Sequence, residues 1–295
     1  MKEKDSRQRY LIVGGVAGGA TAAARIRRLT EDAEIILFEK GGHISYANCG
    51  LPYYIGGVIT DRERLFVQTP EAFGRRFNID VRVNSEVTAI DTQAKTVSVR
   101  TTAGREYTER YDRLLLSPGA SPVRPPLPGI GSEGIFTLRN VEDTDRIKAY
   151  IEQKNVRRAV IVGGGFIGLE MAENLTHAGA EVSVVEMAPQ VMTPIDFSMA
   201  ALVHEHLMEK GVRLYLGQAV EAFAHDGEEL TVRLKTGMEL KADIVLLSIG
   251  VRAETHLAEK AGIRLGEMRG IYVDEYLQTS AEGVYAVGDA IETPH

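Results

Sequence analysis

One pattern occurs twice in the chain: an apolar run, a glycine-rich turn, a helical run, and a second apolar run ending in glutamate. In the first copy, residues 10–13 lead into Gly14-Gly15-Val16-Ala17-Gly18-Gly19, with a helical pattern over 20–29 and a strand pattern over 34–39. In the second, residues 158–162 lead into Gly163-Gly164-Gly165-Phe166-Ile167-Gly168, then 169–178 and 181–186. Strand, turn, helix and parallel strand make a βαβ unit. Gly14 and Gly163 are too far apart for a solenoid, whose repeats span roughly 20–50 residues. They imply two dinucleotide-binding domains instead, and 295 residues suffice for two domains of about 100–200 each. The expected fold is α/β, with two Rossmann-like domains, one inserted in the other.

The second turn carries the complete G-x-G-x-x-G spacing at Gly163, Gly165 and Gly168, in the strand-to-helix context it needs. The first glycine permits the tight turn, the second lets backbone approach a pyrophosphate, and the third packs helix on strand. Glu186 closes the following strand, where a carboxylate can accept from ribose hydroxyls. Met187 and Ala188 follow it, with no arginine to meet a 2′-phosphate, which favours NADH over NADPH. The first turn keeps Gly14 and Gly19 but has Val16 at the middle position. Glu39, followed by Lys40, supports it in the way Glu186 supports the second. Without a ligand, each turn is simply a glycine-rich connection.

Between the two copies, residues 81–101 alternate polar and apolar side chains, as antiparallel strands do. Residues 114–119 form a strand ending at Gly119, and 244–250 resemble it, ending at Gly250. Pro122, Pro125, Pro126 and Pro128 mark the exit from the first domain. The expected organisation is therefore 1–122, an inserted domain at 123–268, and a return at 269–295. Gly288-Asp289 after an apolar strand is a short signal. With two nucleotide turns upstream it fits an aspartate reaching a flavin ribityl or phosphate group; taken by itself it fits a capping aspartate better.

A formal charge of −7 disfavours non-specific nucleic-acid binding. No apolar run reaches the ~18 residues of a membrane helix. The charged residues 1–8 lead straight into a strand, unlike a signal peptide. One cysteine excludes a disulfide framework, and a reducing, cytoplasmic setting is expected.

That cysteine, Cys49, lies in Ser45-Tyr46-Ala47-Asn48-Cys49-Gly50-Leu51-Pro52-Tyr53-Tyr54. A lone cysteine is usually a small buried hydrophobe, but this polar, glycine-bearing surrounding is not a core composition. Asn48 is placed to cap a short helix over 49–55, with Pro52 in its first turn. Redox work by a single thiol needs a second sulfur from substrate, or a cycle through sulfenic acid. His204 and His206 are two apart on a helical pattern and point in different directions, so they are expected as a surface pair, and no metal site is assigned.

The segment 45–57 (SYANCGLPYYIGG), the turn 14–21 (GGVAGGAT), Thr137-Leu138-Arg139-Asn140 and Asp143-Thr144-Asp145 together resemble the coenzyme A–disulfide reductase family, including its NADH-dependent persulfide reductases. The resemblance covers essentially the whole chain. It implies an FAD-binding domain in two segments, 1–122 and 269–295, around an NAD(P)H-binding domain at 123–268. It implies that Cys49 attacks a coenzyme A disulfide or persulfide and holds a mixed disulfide. Ser45 and Asn48 would meet the pantetheine arm, and Thr21, Arg25 and Arg28 the coenzyme A itself. Arg25 and Arg28, at i and i+3, share a helix face that suits phosphates or simply solvent. FAD would be held by Gly14, Gly19, Glu39, Lys40, Gly119, Gly288 and Asp289. NADH, with NADPH possible, would be held by Gly163, Gly165, Gly168, Glu186 and Gly250. Members of the family are longer and homodimeric, with a C-terminal dimerisation domain, so the chain is expected to be a C-terminally truncated form. The alternatives are an NADH oxidase or peroxidase cycling through cysteine sulfenic acid, and a nucleotide-binding remnant without catalysis.

Overall fold

The computed structural model describes residues 7–227 and 229–293. Seven α-helices occur among them: α1 (Ala17–Leu29), α2 (Leu51–Ile55), α3 (Pro70–Phe77), α4 (Val141–Lys154), α5 (Phe166–His177), α6 (Phe197–Glu209) and α7 (His256–Lys260). The chain divides into two compact units. One comprises residues 1–46, 66–121 and 252–295; the other comprises 47–65 and 122–251.

The first unit is built on a five-stranded parallel sheet, ordered Val284–Ala286, Arg113–Leu116, Arg9–Val13, Glu34–Phe38, Asp80–Arg82. The run Ile35-Ile36-Leu37-Phe38 is buried on both faces, which is why it reads as continuous apolar sequence rather than alternation. One face packs Ile12, Ile35 and Leu37 against Ala20 and Ala23 of α1. The alternating segment forms an antiparallel sheet of Ser85–Asp91, Thr96–Thr101 and Glu106–Arg110.

The second unit repeats the plan. Its parallel sheet runs Arg213–Leu216, Glu181–Glu186, Arg158–Val162, Ile244–Leu247, Ile135–Phe136. An antiparallel sheet of Val220–His225, Leu230–Leu234 and Glu239–Ala242 covers one face through Phe223, Val232 and Leu234. In both units the strand before the glycine turn lies between the strand that leads to the glutamate, Glu39 or Glu186, and the one followed by a serine, Ser117 or Ser248. The duplicated architecture is that expected from the two glycine turns.

Two boundaries differ from the sequence expectation. The chain is back in the first unit at Arg252 rather than at 269, because Ala258 and Ile263 bury in the same cluster as Leu11 and Ile36. Residues 47–65 group with the second unit, because Ile55 buries among Ile147, Met171 and Leu175 of α4 and α5.

Candidate active site

Each glycine turn is shaped by contacts that no other residue permits. Gly14 has φ +96°, and a Cβ there would lie 2.0 Å from the Ser117 carbonyl oxygen. Gly163 has φ +108°, with the Ser248 carbonyl oxygen 2.3 Å from the same point. At the helix ends of the turns, a Cβ on Gly19 would meet the Gly14 oxygen at 1.8 Å, and one on Gly168 the Gly163 oxygen at 2.1 Å. Close packing of helix on strand therefore excludes any side chain at these four positions. Gly165 is different: nothing lies within 4 Å of its Cβ position. The glycine there opens a space instead of relieving a clash.

Neither α1 nor α5 has a side-chain cap, whereas Thr69 caps α3 and Asn140 caps α4. The first N–H groups of α1 and α5 have no intrahelical partner and carry the positive end of the dipole, which suits an anion. A cradle at Gly165 without Cβ atoms and a helix start without a cap fit a dinucleotide pyrophosphate.

The two glutamates do more than sequence reasoning assigned. The Glu39 carboxylate accepts from the Gly15 N–H at 2.9 Å and from the Gly41 N–H at 2.8 Å. The Glu186 carboxylate accepts from Gly164 at 2.6 Å and from Ala188 at 2.7 Å. Each braces its own glycine turn. A carboxylate oxygen has two lone pairs, so each keeps capacity for a ribose hydroxyl. Gly119 and Gly250, at φ +74° and +105°, follow the strands Arg113–Leu116 and Ile244–Leu247 in the same way. Gly288, at φ +80°, begins a 3-10 turn holding Asp289, and both are exposed. Lys40 is exposed beside Glu39.

Thr21, Arg25 and Arg28 are exposed on α1. They lie at i, i+4 and i+7, on one face. The Arg28 guanidinium sits 5.7 Å from the Phe77 ring centroid, and that of Arg76 5.3 Å from the same ring. Arg27, by contrast, is spent on the carbonyls of Phe77 and Asn78. Ser45 is left-handed at φ +47°, and its N–H donates to the Gly15 carbonyl at 2.9 Å. That bond ties Ser45 to the first glycine turn.

Cys49 is exposed and free. It lies in a 3-10 turn, Asn48–Gly50, directly before α2. Asn48 does not cap this element as expected. The turn begins at Asn48 itself, Ala47 takes the cap position, and no side-chain bond is made. Pro52 does fall in the first turn of α2. One helical turn past Cys49, the Tyr53 phenol is held above its ordinary range, first by Glu173, then by desolvation, Glu170 and Cys49. The Glu170 carboxyl is pushed up by burial and by Glu173. Cys49 therefore shares one compact unit with Tyr53, Glu170 and Glu173.

His204 is not a surface residue. It is buried on α6, and its Nε2 accepts the Val191 N–H at 3.1 Å. Among the described residues, no group of three or more His, Cys, Asp or Glu side chains is placed to hold a metal, and no helix is long and apolar enough to cross a membrane. No role for Arg62, Lys148 or Asn174 was legible in the sequence; they hold the cysteine segment through Asp145, the Tyr54 carbonyl and Gly56. Asp145 was visible only as part of a motif.

Two Rossmann-type units, each with its own glycine turn, and one exposed thiol directly before α2 are the marks of a two-dinucleotide oxidoreductase. The chain belongs to the pyridine nucleotide-disulphide oxidoreductase family, whose model matches residues 8–295. FAD and NAD(P)H are the cofactors of that family. The chain is 36% identical over 285 residues to an NADH oxidase of Methanocaldococcus jannaschii, covering 96% of this chain and 63% of that protein. It is 34% identical over 289 residues to a coenzyme A disulfide reductase of Staphylococcus haemolyticus, covering 98% and 64%. The crystal structure of reduced Bacillus anthracis CoADR-RHD superposes with TM-score 0.95 at 53% identity, over 97% of this chain and 52% of that one. A NAD-dependent persulfide reductase from A. fulgidus gives TM-score 0.93 at 39% identity, over 97% and 53%. The chain thus spans less than two thirds of the length of these relatives.

Proposed function

We propose that the chain is the dinucleotide-binding part of an FAD- and NADH-dependent reductase that acts on coenzyme A disulfide or persulfide through Cys49. The carrying observation is a single exposed thiol in the same compact unit as the open glycine cradle at Gly165. The names of relatives from two sources, coenzyme A disulfide reductase and persulfide reductase, support the substrate class.

In this reading the first unit holds FAD through Gly14, Gly19, Glu39, Lys40, Gly119, Gly288 and Asp289. The second holds NADH through Gly163, Gly165, Gly168, Glu186 and Gly250. When bound, this pair of cofactors supplies the two electrons that disulfide reduction consumes. The protein's own chemistry is thiol–disulfide exchange. The Cys49 thiolate attacks one sulfur of the substrate disulfide, the S–S bond breaks, and the second sulfur leaves as a thiolate. Thr21, Arg25 and Arg28 supply one exposed cationic face for coenzyme A phosphates, while Ser45 and Asn48 flank the thiol in sequence to receive the pantetheine arm. A single cysteine suits a reducing cytoplasm, and the full-length protein would be a homodimer.

The test is Cys49→Ser in a full-length version. Flavin binding should persist and reduction of oxidised coenzyme A should vanish; reduction at the parent rate would remove Cys49 from the mechanism. The NADH oxidase relative favours a second reading, in which Cys49 cycles through sulfenic acid. Trapping a sulfenate after peroxide, with no reaction toward oxidised coenzyme A, would select it.

A further inference from the structure

Residues 47–65 leave the first unit and return to it through a narrow neck. The Ala47 N–H donates to the Leu65 carbonyl at 2.8 Å, closing the excursion on itself. Inside it, Leu65 is fully buried, and its Cδ2 lies 3.2 Å from the Cβ position of Gly50, the residue after Cys49. The placement of Leu65 therefore bears directly on the turn that carries the thiol.

Three attachments hold this excursion to α4 and α5. On α5, a Cβ at Gly56 would stand 2.7 Å from the Asn174 backbone oxygen, so α2 approaches α5 as closely as backbone allows. On α4, Lys148 Nζ donates to the Tyr54 carbonyl at 3.1 Å and lies 4.8 Å from the centre of that tyrosine ring. Also on α4, Asp145 receives Arg62 in a two-pronged pair, Nε to Oδ1 at 2.9 Å and Nη2 to Oδ2 at 2.7 Å. Two parallel charge-assisted bonds set direction as well as distance. Arg62 opens the 3-10 turn Arg62–Leu65 that ends at Leu65. The line of force runs from Asp145 through Arg62 and Leu65 to Gly50 and Cys49.

We propose that Arg62 and Asp145 are positioning residues for the Cys49 thiol. They hold the excursion on α4 so that the thiol meets the incoming disulfide in one geometry. This rests on Cys49 being the nucleophile. In the reading above the pair acts on the thiol through Leu65 and Gly50 and has no part in substrate binding, so its loss should slow bond exchange without weakening binding.

The experiment follows one round of exchange on the purified chain with oxidised coenzyme A as probe. Mass spectrometry measures the Cys49–coenzyme A mixed disulfide, with one coenzyme A thiolate released per adduct. Arg62→Gln, Asp145→Asn and the double variant are compared with the parent. The maximal rate should fall about tenfold in each, inside the roughly hundredfold that a misplacement of about 1 Å can cost. The half-saturating concentration should stay within about twofold, and the double variant should match the singles, as expected for residues acting as a pair. Arg62→Lys, which keeps the charge, should recover part of the rate. Unchanged maximal rates, or a loss confined to half-saturation, would overturn the proposal. A parent chain that forms no adduct would overturn the nucleophile assignment instead. The clamp would then be judged by hydrogen exchange at residues 53–55, which the same substitutions must speed about tenfold.

Discussion

Gly165 and Gly168 belong to one turn but do different work, and alanine at each separates the two roles. At Gly168 the added methyl meets the Gly163 carbonyl oxygen at 2.1 Å and Ile161 Cγ2 at 3.3 Å. Gly163 has little room to retreat, because its N–H is bonded to the Val185 carbonyl at 2.8 Å. Overpacking of this kind costs up to about 3 kcal/mol, and the better helix propensity of alanine returns about 1 kcal/mol. A net loss of about 2 kcal/mol corresponds to roughly 4–8 °C in melting midpoint. At Gly165 the methyl meets nothing within 4 Å. The residue occupies the N-cap of α5 with φ −81°, where alanine is worse than glycine by about 0.5–1 kcal/mol, or roughly 1–4 °C. The methyl would, however, stand in the cradle assigned to the pyrophosphate. Gly165→Ala should therefore weaken NADH binding at least tenfold, about 1.4 kcal/mol, while melting close to the parent. Circular dichroism melts and fluorescence titration with NADH measure both quantities. Parent-like NADH affinity in Gly165→Ala would refute the assignment of the cradle. A melting loss as large as that of Gly168→Ala would refute the reading of open space.

Glu186→Gln keeps the size of the side chain and removes the charge that opposes a 2′-phosphate; the NADH-over-NADPH affinity ratio should fall about tenfold, and an unmoved ratio in paired titrations would shift selectivity elsewhere. Asp243 accepts the N–H groups of Arg157 and Arg158 and the Arg158 guanidinium at 2.8–2.9 Å. Burial alone would raise its pKa, but these donors outweigh it and hold the carboxyl below its ordinary 3.8. Its stabilisation is thus fully present above pH 3.8 and is lost as the pH falls through the lowered native value. Asp243→Ala should cost about 2 kcal/mol at neutral pH, with the gap to the parent closing in acid. Urea titrations across that range check it, and a gap independent of pH would contradict the cause. His204→Leu orphans the buried Val191 N–H and should cost about 1–3 kcal/mol; a melt equal to the parent's would mean that this hydrogen bond contributes nothing net.

The two glycine turns, their flanking strands and helices, and the lone thiol were legible in sequence because each is a local matter. A position that must adopt φ near +100°, such as Gly14 or Gly163, shows itself as glycine whatever surrounds it. Strands buried on both faces show themselves as unbroken apolar runs. What lay beyond the sequence depends on pairings between distant residues. Arg62 meets Asp145 from 83 positions away, and nothing near either residue marks the partner. His204 resembled a surface residue until the loop carrying Val191 was folded onto α6. The positions of Glu39 and Glu186 along the chain suit ligand acceptors, but the return of each strand beside its own glycine turn also makes them braces for backbone N–H groups. Sequence placed Cys49 in the first domain with the rest of 1–122, whereas residues 47–65 group with the second unit. Local φ preference and apolar pattern are properties of a few consecutive residues. The side of α2 that buries Ile55 against α4 and α5 is chosen only when the whole core closes.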